Sequence, residues 1–290
     1  MHITALGSSF AAGPSISPQT SAPARRSSNN YASLLSRAIP GSNLTDLSAS
    51  GATLLNVLNE PQETLLGTLR PQLEGLPEDT DVVTLTAGGN DLGYSAGMIG
   101  DAARLTVEDG EVLGMMLEGM GLKRDAAGAA AAGSAGSAGT DDGGGGGGGV
   151  AGVSKEVIAE RFVAVIDAIK ARAPKARVFL VEYLAVFGPD TVVADDQPLG
   201  EERVGFYRGL AGNLKAAYAI AAERRKDQGV EVVSVADLSE REHALGAKEA
   251  WVTGYTVEGL MSGGAPFHPN AEGHRGVARV LGERVKSIMG

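Results

Sequence analysis

The chain has 290 residues, of which 43% are hydrophobic, so it is long enough for one large α/β domain or two small ones. Its formal charge of −10 and the lack of any basic run argue against nucleic-acid binding, because neutralising phosphates requires clustered Lys and Arg. The absence of cysteine excludes disulfides and thiolate metal sites, and no apolar run reaches the roughly 18 residues of a membrane span.

The first predicted element is a short buried strand at the start of residues 3–13. It leads into a tight turn that places Ser9 at the carboxyl edge of a sheet, where ligands bind in open α/β proteins. Gly7 allows the turn to close, and a serine at a strand-to-helix turn exposes its hydroxyl, as in a nucleophile elbow. Taken alone, this pattern is more typical of a structural turn.

Strand and helix patterns alternate along the rest of the chain. Residues 14–30 predict an exposed loop, and residues 97–122 a partly helical lid or insertion. The other predicted strands are 43–48, 81–87, 176–182 and 230–235. Helices are predicted after the cap residue Asn30, over 53–58, and from Pro61 to about Leu73, where Leu65, Leu66 and Leu69 stand at helical spacing. Further helices are predicted after the cap residue Ser154, with Val157 on the apolar side, from 201 to about 228, and from about Pro269 to Ile288.

Residues 126–152 are almost wholly Ala, Gly and Ser. Such a tract cannot bury enough surface to offset its ordering entropy, so it predicts a flexible surface insertion. Because strand–helix alternation resumes after it, we predict a single domain over residues 1–290. The alternation predicts an α/β fold with a five-stranded parallel sheet that is covered on both faces.

Four residues far apart in the sequence have the chemistry of an acyl-transfer site. Such a site needs a nucleophile, a base within hydrogen-bond reach, and donors for the developing oxyanion. Ser9 follows the first strand and offers a hydroxyl, and His268, before the last helix, offers the base. The backbone N–H groups of Ser9 and Gly51 and the side-chain amide of Asn90 are the candidate oxyanion donors.

The order of these residues resembles that of the GDSL/SGNH hydrolase family, whose four motif blocks centre on Ser, Gly, Asn and His. The blocks stand here as Gly7-Ser8-Ser9-Phe10, Gly51, Gly88-Gly89-Asn90-Asp91 and His268. They occur in the family's order and extend over nearly the whole chain. The resemblance implies a three-layer α/β/α, flavodoxin-like fold and ester hydrolysis. Within the third block we expect Asp91 to brace its loop rather than to take part in the chemistry.

The chain departs from the family pattern at two positions. Ser8 stands where the family usually has an Asp before the nucleophile, and Ala265 stands where it has an Asp that fixes the imidazole tautomer. We therefore expect a Ser–His dyad in which a backbone carbonyl, with that of Ala265 as the candidate, orients His268. Pro269 would place His268 near the positive end of the last helix, so we expect a neutral imidazole at pH 7.

We therefore predict a serine esterase that acts on small-molecule esters, with short acyl groups favoured by an aromatic content of only 4%. The alternatives are a carbohydrate acetyl esterase, a thioesterase, or a catalytically weakened flavodoxin-like binding module. No metal or nucleotide cofactor is expected, because neither ligand spacing nor a dinucleotide fingerprint occurs. Residues 1–7 lack a secretory signal, which predicts a cytoplasmic chain, or a secreted one whose leader was removed. The oligomeric state stays open.

Overall fold

The computed structural model describes residues 1–119 and 153–289. The strands in chain order are β1 (His2–Gly7), β2 (Gln19–Ser21), β3 (Arg26–Ser27), β4 (Asn43–Asp46), β5 (Gln62–Thr64), β6 (Gly67–Leu69), β7 (Val82–Thr86), β8 (Arg177–Val181) and β9 (Val230–Val233). The α-helices are α1 (Ser9–Ala12), α2 (Tyr31–Ala38), α3 (Leu54–Leu58), α4 (Tyr94–Thr106), α5 (Gly110–Gly119), α6 (Lys155–Arg172), α7 (Glu201–Arg224), α8 (Ala236–Glu242), α9 (Val257–Met261) and α10 (Ala271–Met289). Short 3-10 helices cover Gln72–Gly75 and Lys226–Gln228.

The central sheet has five parallel strands in the order β4-β1-β7-β8-β9. All five residues of β7 are buried, as a strand covered on both faces requires. The five predicted strands are therefore confirmed, and the four with a predicted last residue end one or two residues before it. In order of appearance the sheet runs 2-1-3-4-5, the flavodoxin-like arrangement.

Helices cover both faces of the sheet, which makes three layers. Helices α2 and α10 pack against each other on one side, whereas α3, α6 and α7 form the other layer. Two of these helices begin at the predicted caps, because Asn30 Oδ1 accepts from the Ser33 N–H at 2.9 Å and Ser154 Oγ from the Val157 N–H at 3.4 Å. Among the described residues, no helix is both long and apolar enough to cross a bilayer.

The helix predicted from Pro61 to Leu73 is wrong. The segment forms an antiparallel hairpin, β5–β6, followed by the 3-10 helix. Leu65 and Leu66, whose spacing suggested an apolar helix face, lie at the turn of the hairpin and are 76% and 65% exposed. The Thr64 hydroxyl closes this turn by donating to the Gly67 carbonyl at 2.6 Å.

Other boundaries also differ from the prediction. The last helix begins at Ala271 rather than Pro269, because Asn270 Oδ1 caps it by accepting from the Gly273 N–H at 2.9 Å. Val157 is exposed rather than packed against the sheet. The predicted loop 14–30 contains the small β2–β3 ribbon. The region 97–122 is helical in α4 and α5, while its last three residues and the predicted insertion 126–152 lie outside the described residues.

Candidate active site

The sheet topology brings the predicted site residues to one edge. Because all five strands are parallel, their carboxyl ends meet at the same edge, and β1 lies between β4 and β7. The chain crosses from one side of β1 to the other at this point, which is where open α/β sheets form a cleft. A cavity of about 650 Å³ opens there. Its lining includes all the predicted site residues, namely Ser9, Gly51, Asn90, Ala265 and His268.

The turn that carries Ser9 depends on the glycine before it. Gly7 has φ +137°, and a Cβ there would lie 2.2 Å from the Thr86 carbonyl oxygen, so only glycine fits. The Gln72 side chain binds both backbone polar groups of Gly7, accepting from its N–H at 2.8 Å and donating to its carbonyl at 2.9 Å. Gln72 is 65 residues away in sequence, and no local pattern indicated this role.

Ser9 and His268 are in direct hydrogen-bond contact. His268 Nε2 lies 2.9 Å from Ser9 Oγ, and both residues are buried. On the opposite side of the ring, His268 Nδ1 lies 2.8 Å from the carbonyl oxygen of Pro266. A carbonyl can only accept, so Nδ1 carries the proton and Nε2 presents its lone pair to the serine hydroxyl. This is the tautomer of a general base.

The carbonyl that orients the imidazole belongs to Pro266 and not to Ala265. A backbone carbonyl was expected beside the imidazole, and the one in contact comes from the residue after the one named. Ala265 lines the cavity instead. The sequence could not distinguish the two because the segment before His268 has no regular backbone pattern, so the direction of each carbonyl depends on the loop conformation.

The pKa of His268 is lowered to about 4, mainly because the ring is buried; the Pro266 carbonyl acts to raise it, and the charge of Arg25 contributes to the lowering. The predicted neutral imidazole is therefore confirmed in direction, but its cause is different. Pro269 lies outside the last helix, so burial rather than the first helical turn accounts for the lowered pKa.

Backbone pairing and aromatic packing hold the His268 loop. The Phe267 N–H donates to the Thr253 carbonyl at 2.8 Å, and the Thr253 N–H donates to the His268 carbonyl at 2.9 Å. Phe267 itself is fully buried at φ +58°, a conformation that residues with a Cβ rarely adopt. The Phe10 ring lies 5.2 Å from the imidazole and stacks on Tyr183 at 4.0 Å.

The three residues predicted to supply oxyanion donors, Ser9, Gly51 and Asn90, all line the cavity. Among the described residues, neither the Ser9 N–H nor the Gly51 N–H has a hydrogen-bond partner. Gly51 has φ +85°, where a side chain would be strained and would also crowd Gln62. Asn90 Nδ2 donates one hydrogen to the Ala52 carbonyl at 2.9 Å, which leaves a second hydrogen on the same nitrogen.

Asp91 links the loops that carry Gly51 and Asn90, as predicted. Its carboxylate accepts from the Leu54 N–H at 2.9 Å and from Arg161 at 2.7 Å. Burial raises the pKa of Asp91, while these two donors act to lower it. Each carboxylate oxygen thus accepts a structural hydrogen bond, which explains how Asp91 can be buried next to the site.

Ser8, at the position where the family usually has Asp, hydrogen-bonds to residues that surround the site. Its Oγ lies 2.5 Å from Tyr183 Oη and donates to the Thr86 carbonyl at 3.3 Å. Because Tyr183 stacks on Phe10, this contact connects the residue before the nucleophile to the packing beneath His268. Among the described residues, no group of three or more His, Cys, Asp or Glu side chains is arranged to hold a metal ion.

Comparison with known proteins agrees with this geometry. A model of the GDSL-like lipase/acylhydrolase family matches residues 5–275. Lipase 2 of Streptomyces coelicolor is 28% identical over 288 residues, which span 96% of this chain and 83% of that protein. The extracellular lipase of Streptomyces rimosus has a TM-score of 0.64 at 20% identity, with 98% of this chain and 99% of that chain covered. Phospholipase A1 of Streptomyces albidoflavus NA297 has a TM-score of 0.65 at 21% identity, with 97% and 98% covered.

Proposed function

This chain belongs to the GDSL-like lipase/acylhydrolase family and is a carboxylic ester hydrolase, and we propose that it acts through an acyl-enzyme on Ser9. The observation that carries the proposal is the 2.9 Å contact between Ser9 Oγ and His268 Nε2, with the opposite ring nitrogen bound to the Pro266 carbonyl. A nucleophile, a base and a group that orients the base are the parts that acyl transfer requires.

In the proposed reaction, Ser9 Oγ attacks the ester carbonyl while His268 Nε2 takes the hydroxyl proton. The oxyanion accepts hydrogen bonds from the Ser9 and Gly51 N–H groups and from the Asn90 amide, all of which border the cavity. The imidazolium then delivers its proton to the leaving alcohol. Water, activated by the same imidazole, hydrolyses the acyl-enzyme and restores both groups.

The orienting group in this mechanism is a neutral carbonyl rather than a carboxylate. The Pro266 carbonyl fixes the tautomer and accepts the Nδ1 proton throughout the cycle. Being uncharged, it stabilises the imidazolium less than a carboxylate does, and burial works against the charged ring as well. We therefore propose a Ser–His dyad whose base is positioned by the backbone.

The size and lining of the cavity favour esters with short to medium acyl chains. Its volume of about 650 Å³ lies in the range that holds small organic ligands. The cavity therefore has room for the short acyl groups expected from the sequence and also for longer ones. Large apolar side chains form much of its lining: Leu65, Ile99, Val112, Met115, Leu260 and Met261. This composition suits a hydrocarbon chain better than a sugar.

The test compares the wild type with Ser9→Ala on 4-nitrophenyl esters from acetate to decanoate. We expect Ser9→Ala to lose about 10⁴-fold or more in kcat, because the nucleophile is removed. Ser95→Ala is the matched control, since Ser95 lines the same cavity without contacting an imidazole, and we expect it to change the rate only a few-fold.

The same assay separates the alternatives. A fluorophosphonate label found on Ser9 by mass spectrometry supports the assignment, and a label on another serine contradicts it. Equal rates for the wild type and Ser9→Ala would reject hydrolysis through Ser9. If neither protein is faster than the reaction without protein, the result supports the binding module instead. Acetylated sugars and acyl thioesters, added to the substrate panel, test the acetyl esterase and thioesterase alternatives.

A further inference from the structure

Arg25 brings a positive charge to the rim of the catalytic cavity. Its side chain is among those that line the cavity with Ser9 and His268. Nη2 of the guanidinium donates to the Gly263 carbonyl at 2.7 Å and lies 3.4 Å from the Gly264 carbonyl oxygen and from Ser15 Oγ. All of these acceptors are neutral, so they satisfy hydrogens without balancing the charge.

No carboxylate within the described residues forms an ion pair with Arg25. Other arginines of this acidic chain do have such partners, for example Arg161 with Asp91 at 2.7 Å and Arg225 with Asp167 at 2.6 Å. Arg25 is exposed where it borders the cavity, so its guanidinium is accessible to a ligand, and the neighbouring protein lowers its pKa by desolvation.

The position of Arg25 also has an energetic cost. Its charge lowers the pKa of His268 and therefore disfavours the imidazolium that forms when Ser9 attacks. Its backbone adopts φ +47°, a conformation that is uncommon for a residue with a Cβ and that often marks functional sites. A residue that only tied Gly263 to the loop would need neither the charge nor this backbone.

We propose that Arg25 binds an anionic oxyacid group, a phosphate or a carboxylate, on the alcohol half of the ester substrate. The guanidinium matches both groups, because its planar donors pair with two oxygens at once. The alcohol half is favoured because His268 delivers its proton to the leaving alcohol, and Arg25 binds the 263–264 segment that leads to His268. This inference rests on the proposed function and names its substrate class.

The test uses three hexanoyl esters that differ only in the alcohol: glycerol, glycerol 3-phosphate and glyceric acid. The measured quantity is the ratio of kcat/KM for each anionic ester to that for the neutral ester. We expect a ratio above about ten for the wild type and a fall of about ten- to a hundredfold in Arg25→Gln, since a charge-assisted pair is lost. Arg25→Lys keeps the charge but not the planar fork and should fall in between.

Arg37→Gln is the matched control, because Arg37 also binds neutral acceptors of the 14–30 segment, the Ser28 carbonyl and Asn29 Oδ1. It does not line the cavity, so its ratio should equal that of the wild type. A preference for only the phosphate ester or only the carboxylate ester would support the inference and identify the group.

Two results would overturn the inference: equal kcat/KM for all three esters in the wild type, or an equal loss on all three in Arg25→Gln, which would mean that the residue only holds its loop. If thermal melting shows that Arg25→Gln does not fold, the wild-type ratio is measured against NaCl concentration instead. A ratio that does not fall with salt would then refute the inference. If Ser9→Ala hydrolysed the three esters as fast as the wild type, the proposed function itself would fail.

Discussion

The pH dependence of kcat/KM tests how burial affects the pKa of His268, the proposed base. This parameter follows the ionisation of the free enzyme, and only the neutral imidazole can accept the Ser9 proton. Burial lowers the pKa of His268 from 6.5 to about 4. We therefore expect an acid limb centred near pH 4, about 2.5 units below that of an ordinary histidine.

The lowered pKa changes the neutral fraction of His268 enough to be detected in kcat/KM at a single pH. A shift of about 2.5 units corresponds to about 3 kcal/mol of preference for the neutral form. At pH 5.5 an unshifted histidine would be about one-tenth neutral, whereas a pKa of about 4 leaves His268 almost wholly neutral. The wild type should therefore retain nearly full kcat/KM at pH 5.5.

The assay is hydrolysis of a soluble ester followed across pH 3 to 8, with circular dichroism at each pH to confirm that the protein stays folded. Ala265→Asp adds a carboxylate three residues before His268. The new carboxylate also lies two residues after Gly263, whose carbonyl accepts a hydrogen bond from Arg25. It should raise the pKa of His268 and move the acid limb upward by about one unit. Ala265→Asn is the uncharged control. A wild-type acid limb at pH 6 to 7 would refute the reasoning.

Three further variants test other parts of the site. Asn90→Ala should lower kcat by about 10²–10³ by removing an oxyanion donor, and an unchanged kcat would contradict that role. Gln72→Leu leaves the buried N–H of Gly7 unpaired, while the Gly7 carbonyl keeps the Ala49 N–H as a donor at 3.0 Å, so urea titration should show a loss of about 1–3 kcal/mol in the free energy of unfolding. Burial, together with the smaller electrostatic effect of His268, lowers the pKa of His274 to about 3. Since this is below the unfolded value, stability should fall as pH drops from about 6.5 to 3, and His274→Asn should reduce that slope in urea titrations at several pH values.

The sequence predicted the parts of this protein that depend on local patterns. Buried strands such as β7 are short runs of β-branched and apolar residues, and capped amphipathic helices such as α6 carry a helical period, so both could be assigned from neighbouring residues alone. Three of the four motif blocks follow strands and could be placed at one edge because parallel strands end there, whereas the His268 block precedes the last helix. Where exposed leucines imitated a helix face, as in the β5–β6 hairpin, the local pattern was misleading.

Only the tertiary structure decided how the candidate site is held. The Gln72 amide and the cation of Arg25 contact residues that are far away in the sequence, and no local pattern indicates these contacts. Pro266 is only two residues before His268, but the direction of its carbonyl depends on the conformation of the loop. The depth of His268, which sets its pKa, likewise depends on packing by several elements. Local sequence determines which residue types are available, whereas burial and hydrogen-bond direction arise from contacts between distant segments.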